Sequence, residues 1–164
     1  MVEPWLRGTL LEVDPLQRGV LHALELAVED VGRWCEGLSE EEMEVCPYGM
    51  ASVGFHVRHM VRSLDRLLTY AEGEALTEAQ MGELRSEMDG VSREATLLEF
   101  AEGMEVAVTR VRRFSPRSYR TARGVGRKQM PTTVGGLLVH CADHTQRHVG
   151  QVVTTAKVVV GMRR

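Results

Sequence analysis

Four long stretches of the chain repeat apolar residues at helical spacing, and nothing else in the sequence limits the fold as tightly. In the first, Asp14-Pro15-Leu16-Gln17 reads as a helix start, with Asp14 as N-cap, Pro15 at the first helical position and Gln17 at the third. Leu16, Val20, Leu21, Leu24, Ala27, Val28, Val31 and Trp34 then form one face, and Gly37 ends it. The second helix starts near Ser52 and runs to about Glu72. Its apolar face holds Val53, Val57, Met60, Val61, Leu64, Leu67, Leu68 and Ala71, and Arg58, Arg62 and Arg66 are expected on the opposite, solvated side. Thr96-Leu97-Leu98-Glu99 has the form of a capping box for the third, which carries Phe100, Met104, Val108 and Val111. Pro131-Thr132-Thr133 opens the fourth, which runs through Leu137, Val139, Val152 and Val153 to about Val160.

The intervening segments are shorter. Ser39 to Glu42 is a capping box for a single turn, and Thr77 to Gln80 caps a helix ending near Asp89-Gly90. Residues 115–131 are rich in Arg, Gly, Ser and Pro and form the longest connection, with room for a small hairpin within 118–130. Aromatic residues are few (three Phe, two Trp, three Tyr), so Leu, Val, Ala and Met must fill the core, which favours helices. The expectation is an all-α protein: an antiparallel four-helix bundle with extra short helices and a long loop before the last helix. It forms one domain over 1–164, with 1–13 as an N-terminal arm.

Charge and cysteine usage narrow the setting. Twenty basic residues against twenty-three acidic ones give a net charge of −3, which argues against a dedicated nucleic-acid binder. Eighteen of the basic residues are Arg, which suits carboxylate or phosphate partners, although a GC-rich genome is the simpler explanation and is preferred. No apolar run reaches membrane-spanning length, and Glu3, Pro4 and Arg7 interrupt any signal-peptide core. Cys35, Cys46 and Cys141 are odd in number and lack a C-x-x-C pair, so the expected compartment is reducing and cytoplasmic. The run Val158-Val159-Val160 fits either the core or a homodimer interface.

Five of the six histidines fall in two of the helices. His140, His144 and His148 advance about 40° per step around the fourth and share one face. His56 and His59 lie on the second. His-x-x-x-His sets two imidazoles one helical turn apart, close enough to share a metal ion, and a facing helix can supply a third. Hydrogen-bonded structural histidines are the other reading of the same spacing, and His22, alone on the first helix, is read that way. A hemerythrin-like di-iron centre is disfavoured, because neither helix has a Glu in E-x-x-H spacing. Ser52-Val53-Gly54 leading to His59 and Thr133-Val134-Gly135 leading to His140 repeat one pattern. It reflects either pseudo-twofold symmetry or two similar helix starts. Gly54, Gly135 and Gly136 at those starts mark the expected pocket mouth.

The segment from Thr132 to Gln151, with His144-Thr-Gln-Arg-His148-Val-Gly-Gln151, resembles the last helix of the DinB/YfiT superfamily, and Ser52 to Leu68 resembles its second. The resemblance implies a four-helix bundle holding one divalent ion, zinc or nickel, on three histidines. By position these are His59, His144 and His148, with His56 and His140 as second choices. Three ligands leave an open coordination position, as in catalytic sites. Some relatives are transferases or isomerases that use a low-molecular-weight thiol, and a divalent ion can present a bound thiol as thiolate. The implied activity is thiol S-transfer or hydrolysis on a small-molecule substrate. The alternative is a non-catalytic metal-binding bundle in stress response or assembly. Arg123, Arg127 and Lys128 are candidates to bind an anionic thiol. Gln151 is a candidate to orient a ligand or bound water. Asp65, Asp143 and Cys141 are weaker candidates at the site's edge.

Overall fold

The computed structural model describes residues 2–163. Local capping decides where the helices begin. Asp14 accepts from the Leu16 amide and opens α1 (Pro15–Cys35). Ser39 and Glu42 form the reciprocal capping box of α2 (Glu40–Glu44). Ser52 accepts from Phe55 N to start α3 (Val53–Glu72), which stops at Gly73 with φ 93°, a left-handed conformation that glycine adopts without strain. Thr77 and Gln80 box α4 (Glu78–Arg85), which ends earlier than its pattern implied.

The third long helix, α5 (Arg93–Arg113), begins at Ser92 and not at Thr96. Thr96 is fully buried one turn inside it, where its Oγ1 accepts from Arg58. Residues 115–131 do contain a hairpin, β1 (Ala122–Val125) paired antiparallel with β2 (Met130–Thr133) in the register Ala122 to Thr133. Thr133 ends β2 and is also the N-cap of α6 (Val134–Gly161), so Pro131 and Thr132 lie in the strand. The carbonyls of Thr121 and Tyr119 accept from Val134 N and Gly135 N, which satisfies amides that have no partner within the helix.

Long-range bonds give the directions of the four long helices. Gln17 reaches the carbonyls of Val111 and Phe114, and Arg93 reaches Cys35 O, so α1 and α5 run antiparallel. The pairs Arg62–Glu99 and Arg110–Glu72 place α3 and α5 parallel, with α4 in the crossover. Gln146 to Ala23 O and Arg163 to Gly37 O make α1 and α6 parallel. His56–His148 and His59–His144 make α3 and α6 antiparallel. The chain is thus an all-α bundle in which each long helix has one parallel and one antiparallel neighbour. Leu24, Ala27, Val57, Leu64, Leu68, Leu138, Val152 and Ala156 are buried at its centre. Gln17 is buried in that contact with α5 and makes no capping box.

The face assignment of α3 needs correction. Arg58 has no exposed surface, and Arg66 is 9% exposed. Arg58 pairs with Glu44, Arg62 with Glu99 and Arg66 with Glu87. The helix is surrounded by α2, α5, α6 and the turn after α4, and its cations are neutralised by partners from these elements instead of by water. No described helix is long and apolar enough to cross a membrane.

Candidate metal centre

Antiparallel packing of α3 on α6 brings the two histidine stripes face to face. On α3, His59 and Ser63 are one turn apart; on α6, His144 and His148 are one turn apart. His59 Nε2 lies 3.3 Å from His144 Nε2. The ring centroids of His59, His144 and His148 are 4.4 to 5.0 Å apart in all three pairs. One nitrogen from each lies within 4.8 Å of the others, so the three could hold a metal ion. Phe55 stacks on His59 at 5.3 Å and closes one side of the cluster.

The electrostatics fit a cation. Burial, followed by the neighbouring imidazoles, pushes His144 down to about 4 and His148 down to about 3. Both rings are neutral at pH 7 and keep a lone pair for a ligand bond. Two facing imidazole nitrogens at 3.3 Å must share either a proton or a cation, and neutral imidazole is a good donor to zinc and nickel.

The second choices divide. His56 joins the cluster's edge: its Nδ1 is 3.0 Å from His148 Nδ1, and burial pushes it down to about 4. His140 is half-exposed, stacks edgewise on His144 at 5.6 Å and lies near Asp143. Although His140 occupies the position equivalent to His59 in the repeated pattern, only His59 sits among the three. The repeat marks two N-caps, Ser52 and Thr133, at opposite ends of an antiparallel pair. Their glycines therefore cannot frame one mouth. Gly54 makes room for the Glu44 carboxylate beside Arg58, and Gly135 packs on Tyr119.

The carboxylate beside the cluster is one the sequence did not single out. Glu87, in the turn after α4, places Oε1 3.1 Å from His59 Nδ1, close in distance but off the N–H axis. Arg66 Nη2 donates to Glu87 at 2.9 Å and to Ser63 Oγ at 3.0 Å, and Ser63 Oγ is 3.2 Å from His59 Nε2. Glu87 lies two residues past the end of α4 and is buried against α3. Its place beside His59 and Arg66 is a tertiary contact, and only that contact reveals the residue.

The other candidates lie elsewhere. Asp65 is held by Arg110 and Gln80, and Asp143 is exposed and bound to Arg147. Cys141 is buried, and its thiol is pushed up to about 12, so it is no thiolate ligand at neutral pH. The three cysteines are free. His22 is bonded to Thr9 and ties the N-terminal arm to α1. Gln151 is exposed and bonds none of the histidines. Arg123 donates to Ala71 O at the C-terminus of α3, whereas Arg127 and Lys128 sit exposed in the hairpin turn.

A cavity of about 200 Å³ lies against His144 and His140, bounded by Arg66, Tyr70 and Leu76. Tyr70 and Leu76 also wall a neighbouring cavity of about 540 Å³ that extends to Arg123 and Arg127. A larger apolar groove of about 580 Å³ between α1 and α5 contains none of the histidines.

No curated protein matches the chain. The family model of the DinB superfamily matches residues 23–152, from the middle of α1 through the histidine-bearing part of α6 and so over every residue of the cluster. With that match over most of its length, on a helical bundle carrying the histidine trio, the chain belongs to the DinB superfamily.

Proposed function

We propose that this protein holds one divalent transition-metal ion, zinc or nickel, on His59, His144 and His148. We further propose that it acts on a small molecule by thiol S-transfer or hydrolysis. The observation that carries the reading is the convergence of three imidazoles from two helices within 4.8 Å, two of them, His144 and His148, held neutral by burial. When bound, such an ion supplies Lewis acidity that makes a coordinated thiol or water nucleophilic near neutral pH.

The chain's own residues supply the rest. Phe55 and the packed α3–α6 interface shield the cluster on one side, and the cavity at His144 opens on the other. The two cavities share Tyr70 and Leu76 as walls and together reach from His144 to Arg127, with Arg66, Glu74 and Arg123 among their lining. An anionic thiol spanning both would meet Arg127, with Lys128 beside it on the turn. Between Glu105 and Asp143 the chain has no acidic residue and eight cationic ones; Arg110 of these is paired with Asp65 and Glu72, and Glu74 lines the cavity beside Arg123 and Arg127. In this reading residues 1–164 work as one domain in the cytoplasm. Val159 is buried in the core, so the valine run does not require a homodimer.

Metal analysis of the purified, tag-free protein tests the proposal. The expected result is close to one equivalent of zinc or nickel for the native chain and loss of it in His144→Ala. Near-zero metal under several supplementation regimes overturns it. One observation favours the non-catalytic reading: the cavity at His144, taken alone, is smaller than the usual small-molecule site of about 300 Å³ or more. A turnover screen pairing low-molecular-weight thiols with electrophiles separates the two, since metal without turnover leaves the binding module.

A further inference from the structure

An imidazole that binds a metal through one nitrogen carries its proton on the other, and that N–H needs an acceptor. The cluster places an acceptor within reach of this N–H for two of its three rings. His59 and His144 face each other through Nε2, so His59 turns Nδ1 outward, toward Glu87. His148 turns Nδ1 toward His56, which leaves its Nε2 for the centre. His59 Nδ1 and His144 Nδ1 are both buried without a hydrogen bond among the described residues, but His59 has the Glu87 carboxylate 3.1 Å away, off the N–H axis.

Resting on the metal reading above, we propose that Glu87 and His56 are positioning residues. In the loaded site each accepts the Nδ1–H of one ligand ring, His56 from His148 and Glu87 from His59 once that ring turns its N–H onto the carboxylate, and thereby fixes both in the orientation that presents Nε2. Glu87 is built in for this role. It is 9% exposed, comes from a turn and not from the helices that carry the ligands, and is held by Arg66. A carboxylate so buried is costly unless charge and hydrogen bonds offset it; Arg66 and His59 contact it directly, and Arg62 lies close enough to act on it by charge. His56 is 7% exposed and is set by its edge contact with Phe55 at 5.2 Å, the same ring that stacks on His59. The two rings meet Nδ1 to Nδ1, so one must donate. If His148 ligates through Nε2, it is the donor, and His56 carries its own proton on Nε2.

Zinc affinity measured by competition with a chromophoric chelator tests this, together with NMR of the histidine ring nitrogens with and without zinc. Glu87→Ala and His56→Leu are each expected to weaken zinc binding about 10- to 100-fold. Glu87→Gln and His56→Gln keep a side-chain oxygen that can accept, and each should recover part of that loss. In the zinc-loaded native protein, His59 and His148 should show Nδ1–H with Nε2 ligated. Native affinity in both truncations, or ligation through Nδ1, overturns the inference while leaving the metal reading intact. A native chain that binds no zinc or nickel fails the metal reading instead. Circular dichroism of the metal-free variants separates lost affinity from lost folding. If Glu87→Ala does not fold, the Gln variant and the tautomer measurement decide.

Discussion

Arg58 shows how a charged side chain can belong to the interior. It has no exposed surface, and its guanidinium is bonded to Glu44 and to Thr96 Oγ1, joining α2, α3 and α5 at one point. Removing one member of such a pair strands the other and opens a cavity, so Arg58→Ala should cost about 3 kcal/mol or more. Arg147→Ala breaks an exposed i, i+4 pair with Asp143 and should cost under about 0.5 kcal/mol. Urea denaturation of the two variants beside the native chain checks the contrast, and equal midpoints would contradict it. The same residue explains a misreading. Arginines at positions 58, 62 and 66 have the spacing of a solvated stripe, and spacing alone cannot tell water from a carboxylate on a neighbouring helix. Glu44, Glu87 and Glu99 come from three different elements, so their pairing exists only after the chain has folded.

Among the elements, parallel contact between α3 and α5 depends on a small residue. A Cβ built at Gly103 falls 2.7 Å from Val61 Cβ, closer than packed carbons tolerate. Gly103→Ala should therefore destabilise by about 1–3 kcal/mol, despite alanine's better helix propensity. Gly150, exposed in α6 with nothing within 4 Å of such a Cβ, is the control: Gly150→Ala should raise stability by about 0.5–1 kcal/mol. Thermal melts would show opposite shifts, and two shifts of the same sign would refute the close approach. Helix starts were readable wherever the cap was a local matter, as at Asp14, Ser39, Ser52 and Thr77. At α5, reading failed because Thr96 and Glu99 mimic a capping box, whereas Ser92 has Ala95 where a Glu or Gln would have announced it. The histidine trio was legible because two of its members share a helical stripe and the third follows from family position. Glu87 was not, because its contacts with His59 and Arg66 are tertiary and leave no mark in local spacing.

For the whole molecule, buried imidazoles couple stability to pH. His56, His144 and His148 are held near 4, 4 and 3 by burial first and by the neighbouring His59 next, against an ordinary value of 6.5. Their folded pKa values are depressed, so the unfolded chain takes up protons before the native one does. The metal-free protein should be most stable above pH 6.5 and lose stability as pH falls from there toward 4. Each proton contributes at most about 1.4 kcal/mol per pH unit. Carboxylates add their own loss below about pH 5, so the histidine part must be isolated by difference. His148→Gln removes one such group, and the chelator-treated variant should show a shallower fall between pH 6.5 and 5 than the native chain. Melting temperatures taken across pH 4 to 8 measure both slopes. Parallel curves would mean that His148 titrates alike in the folded and unfolded states. Bound metal should hold the native profile flat to lower pH, because the ion occupies the lone pairs that protons need. Below the pH at which protons displace it, the loaded and metal-free curves should merge, and the point of merging is a direct reading of how firmly the three imidazoles hold the ion.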